Sequence, residues 1–194
     1  MLTFIHSPLT RSTAIAALID EMGIADRVET RLVTIPRQDG TGARDPANPH
    51  PEGKVPALIH DGRVITERAA IILHLTALFP GTGMAPAAGT ADWGVFAAWL
   101  AWYQGVMEPA MICEAAGINH PWMHAAIRGH AEVVARLDDA LSRGPWLMGA
   151  DYSGADLLCH GPYGHFPQMV PANPRVRDWV ARCLDRPANR RAAA

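Results

Sequence analysis

GKVPALIHDGRVITERAAIILHLTALFP, residues 53–80, decides what kind of domain this chain can build. Val55–His60 and Arg63–Thr66 are short runs rich in apolar and β-branched residues. Asp61-Gly62 between them is a strong two-residue hairpin signal, because both central positions of that turn take a positive φ. The two runs are therefore expected as antiparallel neighbours. From Glu67 to Phe79 the apolar residues Ala70, Ile71, Leu73, Leu75 and Leu78 recur at helical spacing, and Pro80-Gly81 stops the helix.

Upstream, Leu2–His6 is an apolar run closed by Ser7-Pro8, which reads as a strand ended by a turn. A helix is expected from Ser12 to Met22, carrying Ala14, Ile15, Ala17 and Leu18 at helical spacing. Thr10 or Ser12 stands ready to accept the free N–H groups at its start, and Gly23 lies beyond its end. Asp20 and Glu21 run against this reading, since negative charge in a last turn is disfavoured by the helix dipole. Val28–Ile35 alternates polar and apolar with β-branched residues throughout, as a half-buried strand does. Residues 36–53 hold Pro36, Pro46, Pro49 and Pro51 among glycines and polar residues without a sustained period, and read as a loop.

Downstream, Pro80–Gly89 has almost no large apolar side chains and reads as a domain boundary, giving domains 1–80 and 90–194 with 81–89 as linker. The rest reads as helix. One helix is expected over Asp92–Glu114, with Trp93, Phe96, Trp99, Leu100, Tyr103, Met107 and Met111, and another over Trp122–Leu141. Ser153-Gly154-Ala155-Asp156 is a capping box with Asp in place of Glu, and Asn173-Pro174 sets a cap before a proline at a first helical position. No internal repeat is present.

Composition limits the classes of function. Of 194 residues, 49% are hydrophobic and 19% charged, enough apolar area for a globular core and too little charge for a disordered chain. The 17 basic and 19 acidic residues leave a net charge of −2 without a long run of one sign, so no nucleic-acid partner is expected. The basic end Arg186–Arg191 reads as a solvated tail. No apolar stretch approaches the ~18 residues that a membrane helix needs, and no leader pattern opens the chain, so a cytoplasmic protein is expected. Cys113, Cys159 and Cys183 are odd in number and far apart, and read as packing residues rather than a disulfide framework. His120 and His124 have a spacing that can bind metal, but no Glu sits as in HExxH and no third ligand is evident; no metal site is expected.

Taken in order, Asn48-Pro49, Gly53-Lys54-Val55-Pro56-Ala57-Leu58, Thr66-Glu67, the run Ala70–Leu75 and Phe79-Pro80 resemble the glutathione-site segment of cytosolic glutathione S-transferases. Ser153–Asp156 is similar to the capping box of that family's core helix, and Trp179–Ala188 to the last helix of bacterial members, so the resemblance spans nearly the whole chain. It implies an α/β thioredoxin-like N-terminal domain followed by an all-α C-terminal domain. Glutathione is then the co-substrate, and the partners are a small hydrophobic electrophile and a second copy of the chain in a homodimer.

By the same resemblance, the Val55-Pro56 bond, by default an ordinary trans turn proline, is expected cis, which leaves the Val55 N–H and C=O to pair with an extended peptide as an added strand. Glu67 takes the γ-glutamyl ammonium at the start of a helix whose positive end suits a carboxylate. Lys54 is the candidate for the glycyl carboxylate, although His50-Pro51-Glu52 makes the preceding loop longer than in the common form. Arg68 stands where the family usually has a small hydroxylated residue, and either forks a ligand carboxylate or points into water.

The thiolate needs a donor. Ile5 and His6 stand where some classes carry a tyrosine, so the donor is sought among Ser12, Thr10 and Ser7, with Arg11 also in reach; for Ser12 a plain helix cap is the competing reading. Trp99, Trp102, Tyr103, Met107 and Met111 lie on the helix expected to line the electrophile pocket, or simply pack a core. Two functions are compatible with the resemblance: a glutathione transferase acting on a small apolar electrophile by conjugation or a related reduction, or a non-catalytic binding or assembly protein of the same fold.

Overall fold

Leu2–His6 forms strand β1, flanked on both sides by other strands. It runs parallel to β2 (Val28–Leu32), with Leu2 opposite Val28 and His6 opposite Leu32, and antiparallel to β3 (Ala57–His60), with Leu2 opposite His60 and Ile5 opposite Ala57. β4 (Arg63–Thr66) completes the order β2-β1-β3-β4. A computed structural model describes residues 1–193 of the chain. Phe4 and Ile5 have no exposed surface, which explains why the central strand is a continuous apolar run rather than an alternating one. Asp61 and Gly62 take φ of 47° and 78°, the two positive values that their hairpin turn requires.

β2 is an edge strand with only Val28 buried, and it ends three residues short of the expected Ile35. The Val33 N–H still reaches the His6 carbonyl at 2.9 Å, but the Thr34 N–H turns to the Asp45 carboxylate at 3.2 Å. Pro36 brings no N–H at all, so the ladder has nothing further to close. Helices α1 (Thr13–Glu21) and α2 (Arg68–Leu78) pack side by side, burying Ile15, Leu18, Ile71, Ile72 and Leu75 completely. This is the thioredoxin-like arrangement that the resemblance implies.

Met1–Thr82 forms one compact unit together with the chain's last helix, Pro187–Ala193. That helix corrects the reading of a solvated basic tail: it lies against α1, buries Ala188, and the Arg191 Nε–H donates to Asp20 at 2.8 Å. The acidic last turn of α1 thereby receives a cation from a segment about 170 positions away.

Gly83–Arg186 forms the second unit, which is helical. α3 (Ala91–Trp102) and α4 (Glu108–Ala115) are joined by a wider π turn at Tyr103–Met107. Pro109 explains it, for its ring lacks an N–H and clashes with the carbonyl four residues back, that of Gly105. The expected helix Trp122–Leu141 is two helices, α5 (Pro121–Ile127) and α6 (His130–Leu141), because Arg128 takes φ 60° and Gly129 stands as the N-cap of the second. α7 (Gly154–His165) opens with the expected capping box, and α8 (Pro174–Leu184) with Asn173 accepting the Val176 N–H at 3.0 Å. The last helix, Pro187–Ala193, is α9.

Asp156 is the polar centre of this unit. It is fully buried, and its carboxylate accepts from the Leu147 N–H (2.8 Å), the Trp179 indole N–H (2.9 Å) and the Ser153 N–H (3.1 Å) and hydroxyl (3.2 Å). Burial pushes its pKa up to about 6 against the pull of those donors. Among the described residues no helix is long and apolar enough to cross a membrane.

Candidate functional site

β1 ends at His6 and α1 begins at Thr13, so residues 7–12 must turn the chain within one short loop. Leu9 takes φ 57°, and hydroxyls close the loop where a backbone ladder cannot. Ser12 Oγ accepts the Ser7 N–H at 3.1 Å, and lies 3.0 Å from the Ser7 carbonyl, 2.8 Å from Thr10 Oγ1 and 2.7 Å from Nδ1 of His6. The Thr10 hydroxyl donates to the same Ser7 carbonyl at 2.7 Å, and the Ser12 N–H returns to Thr10 Oγ1 at 3.2 Å. Arg37, on the loop after β2, braces the turn from outside by donating to the Pro8 carbonyl at 3.0 Å.

Burial separates the three candidate hydroxyls. Ser12 has no exposed surface and Ser7 keeps 3%, while Thr10 stays partly open. Ser12 does not cap α1: its backbone is already helical (φ −72°, ψ −15°) and its side chain makes no capping bond. Its oxygen belongs to the turn, which makes it the hub behind Thr10. His6, which the sequence alone does not single out, is half-buried, stacks on Phe4 with ring centroids 5.2 Å apart, and is held by burial below the ordinary imidazole pKa. The available signal was its place as the last strand residue before a hydroxyl-rich turn.

The second wall comes from residues 44–56. The Val55-Pro56 bond is cis, and the β1–β3 ladder stops at Ala57, just short of Val55. The Val55 side chain is buried with Ile5, Val33 and Ala57. The longer loop before it is organised around His50, which is 6% exposed: Asn48 accepts the His50 N–H at 3.0 Å and donates to the Lys54 carbonyl at 3.0 Å, while Nδ1 of His50 accepts the Glu52 N–H at 3.1 Å. The Lys54 side chain is exposed and forms an ion pair with Glu52, which raises its pKa; Glu67 adds to that rise and Arg11 opposes it. Arg11, Lys54 and Glu67 thus lie in one electrostatic neighbourhood.

Glu67 precedes α2 with φ 66° and ψ 125°, a conformation rare for a residue with a Cβ and costing about 1–3 kcal/mol. Its side chain is exposed. Strain of this kind is held only where the surroundings enforce it, and nothing in the letters Thr66-Glu67 announces it. Arg68 is 7% exposed, so the alternative in which it points into water falls.

Trp99, Trp102, Tyr103, Met107 and Met111 are buried, as the core alternative for them requires. Trp99 keeps 6% exposure, Trp102 9% and Met111 4%; Tyr103 and Met107 keep none. The Arg136 guanidinium stands 4.9 Å and 4.4 Å from the rings of Trp99 and Trp102. A separate cavity of about 580 Å³ in the helical unit is lined by residues including Glu114, His124, His130, Met169 and Val170. His120 and His124 do not converge: His120 Nδ1 accepts the Trp122 N–H at 3.3 Å, and His124 Nε2 bonds the Asn119 side chain at 3.0 Å. Among the described residues no group of three or more His, Cys, Asp or Glu could hold a metal ion.

Residues 6–83, which contain both walls of this site, match the model of the glutathione S-transferase N-terminal domain. The first domain is thus similar in sequence to the N-terminal domain of glutathione S-transferases. Among solved structures, a glutathione transferase from Methylococcus capsulatus is 26% identical, with a TM-score of 0.78 over 100% of this chain and 97% of that one. A sphingomonad glutathione S-transferase complexed with glutathione is also 26% identical, with a TM-score of 0.78 over 98% and 96%. The disulfide-bond oxidoreductase YfcG of Escherichia coli is 28% identical over 159 residues, 71% of this chain and 70% of that protein. These solved structures cover the helical unit of the chain as well as its first domain.

Proposed function

We propose that this protein is a glutathione transferase: it binds glutathione on the first domain and activates the thiol for attack on a small apolar electrophile, by conjugation or a related glutathione-dependent reduction. One observation carries the reading. The hydroxyl-closed turn before α1, the Val55 backbone ahead of a cis proline and the carboxylate of a strained Glu67 occur together in one small domain.

Each supplies what one part of glutathione needs. The Val55 N–H and C=O take the cysteinyl unit as a short added strand. Glu67 receives the γ-glutamyl ammonium beside the positive end of α2. Lys54 reaches the glycyl carboxylate by exchanging Glu52 for it, and Arg68, buried at the start of α2, serves the peptide's other carboxylate. Thr10, the partly open hydroxyl, meets the thiolate, with Ser12 holding it from behind and Ser7 fixing the turn. Disulfides belong among the test substrates because one relative is a disulfide-bond oxidoreductase. We place the protein in the cytoplasm, as a homodimer, in keeping with three cysteines outside any disulfide.

Retention on immobilised glutathione, elution by free glutathione, and turnover of activated aryl halides and organic disulfides test the reading. Passage through the column without delay rejects it. The second reading, a binding or assembly protein, is favoured by the hydroxyl protons of Thr10 and Ser12 having acceptors within the turn; retention without turnover of any substrate selects it.

A further inference from the structure

We propose that His6 is the terminal proton acceptor of this site, taking the glutathione thiol proton through Thr10 and Ser12. The proposal rests on the glutathione reading above. Three groups form a continuous line: Thr10 Oγ1 at the partly open surface, Ser12 Oγ 2.8 Å behind it, and Nδ1 of His6 2.7 Å behind that. Both spans are those of strong hydrogen bonds, and the middle oxygen is shut off from water. The Ser7 N–H donates to that oxygen at 3.1 Å and pins it in place, while its single proton has two acceptors in reach, the Ser7 carbonyl at 3.0 Å and Nδ1 of His6 at 2.7 Å.

A ring that ends such a line must be neutral, with Nδ1 unprotonated. Burial holds His6 on that side, and it stacks on the apolar ring of Phe4. The residues facing it across the sheet do not charge it. Leu32 lies opposite on β2; Arg31, next to it, is paired with Glu29 at 3.5 Å; Ala57, at the end of the β3 register, is apolar. The Arg37 guanidinium is committed to the Pro8 carbonyl.

The step balances. Both hydroxyls first turn from the Ser7 carbonyl into the line. The S–H bond breaks and its proton passes to Thr10 Oγ1; Thr10 passes its own proton to Ser12 Oγ; Ser12 passes its proton to Nδ1 of His6. Both hydroxyls are restored, one N–H bond has formed, and the charges end as thiolate and imidazolium with no oxidant or reductant involved. After the transfer every donor points toward sulfur, so the same line that removed the proton stabilises the anion. The pair is then coupled: the thiolate raises the affinity of His6 for its proton, and the imidazolium lowers that of sulfur.

The test uses the imidazole itself. His6 is identified in the carbon-labelled protein as the histidine signal absent from His6→Asn, and its charge is followed at pH 7 with glutathione and with S-methylglutathione, which has no thiol proton to give. The expected result is that His6 becomes imidazolium with glutathione and stays neutral with S-methylglutathione. Ser12→Ala should abolish that difference while leaving His6 in place. In His6→Asn the bound thiol's ultraviolet titration should move up by about one unit, a tenfold loss of thiolate near neutrality. A thiolate forming in the wild-type complex with His6 neutral throughout overturns the relay. Calorimetry separates the other failure: if neither ligand binds, the glutathione reading itself is wrong.

Discussion

Replacing Ser12 by alanine removes one oxygen from the most enclosed point of the site, and both consequences can be worked from its neighbours. The Ser7 N–H, buried and donating to Ser12 Oγ at 3.1 Å, loses its acceptor, and an orphaned buried donor costs about 1–3 kcal/mol. The Ser7 carbonyl suffers less, because the Thr10 hydroxyl still donates to it at 2.7 Å. His6 is half-buried, and water can replace part of what its Nδ1 loses. The sum is about 1–3 kcal/mol, which in a chain of this size lowers the melting temperature by roughly 2–12 °C.

The chemical consequence is sharper than the loss of stability. Without Ser12 the Thr10 hydroxyl keeps the Ser7 carbonyl as its acceptor within the turn and loses its connection to His6. The bound thiol's pKa should rise by about one to two units, with turnover at neutral pH falling roughly ten- to a hundredfold, since one unit is ~1.4 kcal/mol of preference for the charged form. Thr10→Val should reproduce that loss at a smaller cost in stability, because Thr10 is partly open, and Ser7→Ala should change little. The assays are differential scanning calorimetry and ultraviolet titration of thiolate in the glutathione complex of each variant. A Ser12→Ala protein that melts within about 1 °C of the parent and titrates identically refutes the reasoning.

Glu67→Ala should weaken glutathione binding by about 1.5–3 kcal/mol, the range for a hydrogen bond to a charged group, with folding barely changed; equal affinities by calorimetry would remove Glu67 from the ammonium site. Asp156→Ala should cost about 3 kcal/mol or more, because the Leu147, Ser153 and Trp179 N–H groups are all left unsatisfied, and denaturant titration followed by tryptophan fluorescence reads it. The parent's advantage over that variant should also shrink as pH rises. With the folded pKa at about 6 against an ordinary 3.8, the folded state keeps the proton longer, so this contribution is full below pH 4 and falls by roughly 3 kcal/mol between pH 4 and 6. The protein should run as a homodimer with ~1,600 Å² or more buried, and a monomeric mass by light scattering at micromolar concentration rejects that.

What could be read from the letters was whatever depends on near neighbours. The hairpin at Asp61-Gly62, the two helices of the first domain and the caps at Ser153 and Asn173 are local devices, and the structure has them all. Two of the departures share one cause, a partner distant in the chain. The strand after Val28 stops at Leu32 because Asp45, on a separate loop, takes the Thr34 N–H. The basic end is a helix packed on α1, with Ala188 buried and Arg191 paired with Asp20 near the other end of the chain. Asp20 and Glu21 counted against α1 only while that partner could not be seen.

The site divides along the same line. A serine near the start of α1 can be a cap, a donor to a ligand or a structural hub, and all three are local possibilities. What decides among them is how many partners the oxygen already has. Ser12 Oγ lies within hydrogen-bond distance of four groups and has one proton to give, so its role is set by His6, Ser7 and Thr10 together rather than by its own position. Identity marks the candidate hydroxyls; only their mutual distances order them into an open one, a buried one and an imidazole behind both. On the proposed relay that order gives proton flow a direction and sets the outermost hydroxyl, Thr10, against the sulfur.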